Sequence, residues 1–411
     1  MGVWNKYLRV NTGRGEGVDV ADVFREFLPA YRARYGLSRE QLRVVKDILA
    51  CRTSVLGGCV YQCAECGAVQ VMYCPCGNRH CPKCGKFKRA QWVEGQRVLL
   101  LPIPYFHVTF TTDHALNVLF AHNRQVLYDA LLWAVQTTLK EMAGECLGGQ
   151  FGFTCVLHTW GQKLDPHVHV HCIVTGGVLS FDRQRWVKSA RRFLFDVLET
   201  SRRYRQRLCC KIKRLWQAGK LMGCEGVDVP QLLAELLSKR WEVFAKPFDD
   251  PEHVYLYLSR YVHAVAISNS RILKIAGGKV YFEYHDNKDG GKQKVLALEG
   301  VEFMRRFLWH VLPKGFRRIR HYGLHHPSAR EKLMRARELL GQPREIPAKR
   351  ELGLKEWLRE IGVEGVDVCP NCGSVGSLFV RGEYEQFNWL AVILVEVLGL
   401  VGGKVPAQGR A

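Results

Sequence analysis

The residues most able to do chemistry lie in one short run, His167-Val-His169-Val-His171, which alternates imidazole and valine. In a β-strand alternate side chains share a face. The histidines therefore point one way while Val168 and Val170 pack inward. Two imidazoles two residues apart on a rigid strand, His169 and His171, can hold one divalent cation and leave positions open for a substrate. A third ligand can come from His167 on the same strand, or from His158 or Gln162 on the neighbouring strand and loop. Structural histidines are the competing reading.

A second candidate pair is Tyr257 and Tyr261. Their i, i+4 spacing puts them one turn apart on a helix face. Val254 and Val265 extend the same stripe, so a plain apolar core face is the alternative. As nucleophiles, the phenols would attack a DNA phosphate and become joined to it. A free phenol titrates near about 10, so the attacking oxygen needs a cation or a base, and a bound metal would also polarise the phosphate. Such a transesterification keeps the ester energy in the protein–DNA bond. Two tyrosines one turn apart allow two consecutive strand transfers.

The third constellation is cysteine. Of 16 cysteines, Cys51, Cys59, Cys63, Cys66, Cys74, Cys76, Cys81 and Cys84 fall in one stretch. Cys63-Ala-Glu-Cys66 and Cys81-Pro-Lys-Cys84 are two knuckles, expected to close one tetrahedral, structural Zn²⁺ site. Cys51, Cys59, Cys76 and His80 are candidates for a second zinc, with buried free thiols as the alternative. Arg79, Lys83, Lys86, Lys88 and Arg89 flank the second knuckle and are candidate phosphate contacts, unless they form an ordinary solvated face. Cys369-Pro-Asn-Cys372 is half a site, to be completed elsewhere in the chain or by another protomer, or left empty.

These groups must be positioned by a chain of 411 residues, of which 47% are hydrophobic and 24% charged. That composition supports a folded core of two or three domains and excludes wholesale disorder. Lys and Arg number 60 against 39 Asp and Glu, a net charge of +21. So large an excess calls for a polyanion, and nucleic acid fits better than a membrane surface. The N-terminal MGVWNKYLRVNTGRGEG carries no apolar signal core, so the thiols are expected in a reducing cytosol. The apolar run Asn388 to Leu400 is too short to span a bilayer and contains Glu396, so a buried helix is expected there.

Three regions are expected: 1–95 with a helical lead-in and the zinc module, 96–330 with alternating strands and helices, and a tail at 331–411. Strands are expected over Tyr105–Thr111, Phe153–Trp160 and His167–Val174, with a helix over Leu119–Met142. Asp250-Pro251-Glu252 is a helix start, leading into the tyrosine segment. A meander follows through ILKI, VYFEYHD and KVLALE, then a helix over Val301–Leu312 stopped by Pro313. This is an α+β pattern built on an antiparallel sheet. Within Asp182 to Lys220, Arg183, Arg191, Arg192, Arg202, Arg203 and Arg205 interleave with Trp186, Phe193, Phe195, Tyr204 and Trp216. That arrangement reads as a track for single-stranded DNA or as an amphipathic helix pair.

The ordered blocks CRTSVLGGCVYQCAECG, NRHCPKC, YFHVTFT, LHTWGQ, HVHVHCIVTGG, YLSRYVHAVAISNSRI and LPKGFRRIRHYG resemble the HUH transposases of rolling-circle insertion sequences, in particular the two-tyrosine insertion-sequence-91 family. The resemblance runs from Cys51 to Tyr322. It implies that His169 and His171 form the HUH pair and that Tyr257 and Tyr261 are the nucleophiles. It further implies a zinc-binding module followed by a five-stranded antiparallel HUH sheet, with Mg²⁺ or Mn²⁺ as catalytic cofactor. The implied partner is DNA, as single strands and element ends, and cleavage would leave a 5′-phosphotyrosine and a free 3′-hydroxyl. Two positions depart from the family pattern. Cys59 stands where the family has histidine, and LDPHVHVH replaces a His-His-Pro-His run.

Overall fold

The computed structural model describes residues 8–11, 17–190, 194–248, 262, 264–286, 289–353, 356–357, 368–376 and 378–384. Tyr257, Tyr261, Arg191, Arg192, Phe193 and the run Asn388 to Leu400 lie outside these residues. In chain order the strands are β1 (Leu8–Asn11), β2 (Gly58–Cys63), β3 (Val69–Tyr73), β4 (Tyr105–Thr111), β5 (Gly149–Gln150), β6 (Gly152–Trp160), β7 (Pro166–Thr175), β8 (Gly177–Ser180) and β9 (Trp186–Lys188). They continue with β10 (Val243–Phe248), β11 (Ile272–Ala276), β12 (Lys279–Asp286), β13 (Lys292–Glu299), β14 (Ile319–Gly323) and β15 (Leu378–Tyr384). Among the described residues no helix is long and apolar enough to cross a membrane.

The chain divides into two compact units that interleave along the sequence. One comprises Met1–Lys86, Val265–Val311 and Leu354–Ala411, and the other Phe87–Ala264 and Leu312–Gly353. The three consecutive regions expected above follow the order of the motifs, whereas the units follow packing. In the first unit, Phe24 on the helix Val20–Arg34 meets Phe307 on the helix Gly300–Trp309 edge to face at 5.3 Å. Phe303 of the latter packs on Phe282 of β12 at 5.7 Å. The meander β11-β12-β13 therefore forms its own three-stranded sheet, joined through an apolar core to the N-terminal helices.

The second unit carries a five-stranded antiparallel sheet in the order β10-β4-β7-β6-β14. Its central strands are buried on both faces: every residue of β6 from Gly152 to Thr159 is buried, as expected for strands covered on both sides. One face holds Phe110, Val170 and Cys172 and packs against two helices. Tyr204 of the helix Val197–Gln217 meets Phe110 at 5.1 Å and Trp241 at 5.5 Å. The helix Arg124–Leu147 contributes Leu127, Leu131, Val135 and Leu139, all fully buried at helical spacing. It ends at Gly148, whose φ of 65° is the left-handed conformation that favours glycine. The helix expected over Leu119–Met142 is two helices, Asn117–His122 and Arg124–Leu147.

Candidate metal centres and nucleic-acid surface

The other face of that sheet carries the histidines. Register places His158 of β6 opposite His169 of β7, and Val156 opposite His171. On the far side, Thr109 of β4 pairs with His171, and His107 pairs with Ile173. His107, Thr109, His158, His169 and His171 thus share one face. His158, His169 and His171 each bring a ring nitrogen within 4.8 Å of the others. His169 Nε2 and His171 Nε2 are 3.1 Å apart.

Second contacts orient these rings. His169 Nδ1–H donates to the His167 carbonyl at 2.8 Å, which leaves Nε2 as the lone-pair nitrogen. His171 Nδ1 lies 2.9 Å from His107 Nε2, with Thr109 Oγ1 at 3.3 Å from both. A metal-binding histidine is commonly fixed in this way through its other nitrogen. Burial, reinforced by the neighbouring His167, pushes His169 down to about 3. Burial and the His158 and His169 rings hold His171 well below the ordinary imidazole value. Both are therefore neutral at pH 7 and able to ligate. Three buried, convergent imidazoles fit a divalent cation.

Of the candidate third ligands, the structure brings in His158. The His167 ring packs by His114 at 5.3 Å between centroids, and its carbonyl orients His169. Gln162 is exposed on the loop after β6. His107 was not singled out from sequence, although its alternate position in Tyr-Phe-His-Val-Thr carried the signal. Val262 is also on this face: it is fully buried with Tyr105, Val156 and Ile173. Its covalent neighbour is Tyr261. Arg318, itself buried, donates to the carbonyls of Val262 at 2.6 Å and Ala264 at 2.8 Å.

In the first unit the cysteines form two groups of four: Cys51, Cys76, Cys81 and Cys84, and Cys63, Cys66, Cys369 and Cys372. The expected pairing of Cys63 and Cys66 with Cys81 and Cys84 is replaced, and strand geometry explains why. Cys63 and Cys66 sit at the turn between β2 and β3, whereas Cys76, Cys81 and Cys84 follow β3 at its other end. Five strand residues span about 17 Å, too far for one ion. The partner knuckle arrives with β15, which pairs antiparallel with β2 and sets Leu378 opposite Cys63. Cys59 and His80 belong to neither group. Sulfur separations are 3.5 Å for Cys51–Cys84 and 3.7 Å for Cys76–Cys84, Cys63–Cys372 and Cys66–Cys369. Tetrahedral Zn–S bonds of about 2.3 Å require sulfurs about 3.8 Å apart. Hydrogen bonds among the crowded sulfurs raise Cys76 and Cys81 and lower Cys51 and Cys84. A cation would hold all four as thiolates.

Several cations expected to face DNA are committed elsewhere. Lys83 forms a largely buried 2.6 Å ion pair with Asp19, the N-cap of Val20–Arg34. Burial lowers the Arg79 and Arg89 guanidiniums, and the side chains of Lys86 and Lys88 lie outside the described set. Arg202 pairs with Glu199, and Arg203 with Glu199 and Glu145, each at 2.6 Å. Tyr204 and Phe195 are buried core residues and offer no platform for bases.

Comparison with known proteins converges on one family. A family model described as a putative transposase matches residues 152–332, and one described as a transposase zinc-binding domain matches residues 23–112. The putative transposase y4qJ of Sinorhizobium fredii (strain NBRC 101917 / NGR234) is 40% identical over 372 residues, covering 87% of this chain and 93% of the relative. The transposase for insertion sequence element IS801 of Pseudomonas savastanoi pv. phaseolicola is 30% identical over 307 residues, covering 70% and 71%. No solved structure matches.

Proposed function

The chain belongs to the insertion-sequence-91 family of transposases, and from that premise we propose that it nicks one DNA strand at the ends of its element and transfers it by rolling-circle transesterification through Tyr257 or Tyr261. The observation that carries this reading is the convergence of His158, His169 and His171 on a sheet face where Val262, the residue after Tyr261, is also buried. A divalent cation held there, Mg²⁺ or Mn²⁺, would polarise the scissile phosphate and neutralise charge developing on it. The tyrosine oxygen forms the new ester to phosphorus, the P–O3′ bond breaks, and the departing 3′-oxygen takes up a proton. The free 3′-hydroxyl and the 5′-phosphotyrosine that result can be rejoined without ATP. His107 and the His167 carbonyl keep the ligating rings in the required tautomer and orientation.

The test is covalent capture. Labelled single-stranded oligonucleotides from the element ends, incubated with Mg²⁺ or Mn²⁺ and run on a denaturing gel, are expected to shift to an adduct of protein mass. The double variant Tyr257→Phe, Tyr261→Phe is expected to give none. An adduct that survives in it would remove these phenols from the mechanism.

A smaller effect is expected at Arg318. Hydrogen bonds from a charged donor contribute about 1.5–3 kcal/mol each, and Arg318 spends two on the backbone just after Tyr261. Arg318→Ala is expected to slow adduct formation by about tenfold or more, with oligonucleotide affinity nearly unchanged, because a loosened nucleophile segment loses alignment rather than binding. Equal losses of rate and affinity would point to a general packing defect.

A further inference from the structure

Within the second unit a cleft of about 810 Å³ runs along β14, the terminal strand of the five-stranded sheet. We propose that this cleft is a second DNA site, a groove that holds single-stranded DNA away from the histidine cluster. The inference rests on the reading of the chain as a strand transferase but assigns a place that this chemistry does not use. The cleft is walled by the helix Arg124–Leu147, the turn before β14 and the start of the helix Arg330–Leu339. Lys140, Arg317, Arg320 and Lys332 line it, and among the described lining residues there is no Asp or Glu.

The state of these cations separates them from the basic stretch noted in the sequence. Arg202, Arg203 and Arg207 are matched by Glu199, Glu145 and Glu141. In the cleft, among the described residues, only Arg320 is paired with a carboxylate, that of Asp129. Lys332 donates to the neutral Gln150 amide at 3.0 Å, and Lys140 and Arg317 are exposed. Three cations thus face solvent on one concave surface, which is costly in self-repulsion unless a polyanion uses it.

The remaining lining fits nucleotides. Gln125, Gln136 and Gln150 offer neutral amides, which can bond base edges once bases are unstacked. Tyr322 is half-buried and offers a ring edge, held from behind by Phe153 at 5.1 Å. Gly323 ends the strand in the left-handed region, where a Cβ would lie 1.8 Å from the Phe151 carbonyl oxygen. The backbone can turn there only as glycine, and the cleft keeps its shape. Ile319 of β14 pairs with Val156 of β6, two residues and about 7 Å along the strand from His158. Because the helix Arg124–Leu147 covers the opposite face, a strand held in the cleft reaches the histidines by passing round the β14 edge. An extended acidic peptide added to the β14 edge is the other occupant to consider; the amide-rich lining favours DNA.

The experiment measures binding alone. Fluorescence anisotropy of the full chain with a labelled oligothymidylate, in EDTA and across a salt series, would compare wild type with Lys140→Glu plus Lys332→Glu and with Lys140→Gln plus Lys332→Gln. Expected are a loss of affinity of about tenfold or more for the charge reversal and a smaller loss for the neutral pair. The salt slope should become shallower by about 1.4, since each single-strand phosphate contact contributes about 0.7. Zinc content and Tm should be unchanged. Unchanged affinity and slope in correctly folded variants would overturn the proposal. So would a polyglutamate peptide that binds as tightly as the oligonucleotide with the same sensitivity to both variants. The Tyr257→Phe, Tyr261→Phe protein should bind normally here, so failure of the nucleophile reading and failure of the groove give different results.

Discussion

Replacing His169 or His171 with Ala is expected to abolish adduct formation, with a fall in rate of about 10²–10³-fold or more, while oligonucleotide binding in EDTA is retained. His158→Ala should fall with them, because its ring nitrogen lies within the same 4.8 Å group. His167→Ala should not, because what His167 supplies is its main-chain carbonyl to His169 Nδ1–H, and alanine keeps that carbonyl. His107→Ala should be intermediate, about 10–100-fold, as is usual for a residue that orients a ligand through its second nitrogen. Mn²⁺ binding followed by calorimetry should track the same order, separating ligands from bystanders independently of cleavage. Full cleavage by His169→Ala together with loss in His167→Ala would show that the wrong member of the histidine run had been assigned to the metal.

That ordering also marks where one-dimensional reading ends. His167, His169 and His171 are visible as a set because strand side chains repeat every two residues. Which of them meets a third ligand depends on the register of β6 against β7 and on a 3.1 Å approach between two rings. Neither is encoded in spacing. The five-stranded antiparallel sheet follows from the strand-like runs and the family resemblance, yet the meander β11-β12-β13 lies in the other unit. Its hairpin signals are local, and the partner that buries it, the helix Gly300–Trp309 packed on Val20–Arg34, is fixed by contacts more than two hundred residues apart in sequence. The basic stretch from Asp182 to Lys220 shows the same limit. Its arginines read as a DNA track until Glu141 and Glu145, carried on a different helix, are seen to meet Arg207 and Arg203.

Zinc offers the sharpest contrast between linear and spatial reading, and the second large effect. Pairing of the nearest knuckles implies one tetrahedron from Cys63, Cys66, Cys81 and Cys84, and leaves Cys369 and Cys372 as half a site without an assigned partner. Two separate groups imply two zinc ions per chain, one of them closed by Cys369 and Cys372. The double variant Cys369→Ser, Cys372→Ser is therefore expected to lower zinc content from about two per chain to about one, as is Cys81→Ser. Thermal stability should fall sharply in both. β2 and β3 bury only Gly58, Cys63, Val69 and Val71, too little apolar surface to hold a small module without a metal. Structural zinc contributes about 10–16 kcal/mol in finger peptides, comparable to the whole stability of a typical domain, about 5–15 kcal/mol. Chelation should accordingly melt this zinc-bearing strand module first. The antiparallel sheet of the other unit buries its own core through Phe110, Tyr204 and Leu131 and should persist to higher temperature, giving two transitions where the zinc-loaded protein is more cooperative. Elemental analysis decides the matter: an unchanged zinc count in the tail variant would return Cys63 and Cys66 to the neighbouring knuckle, and the register between β15 and β2 would have to be wrong with it.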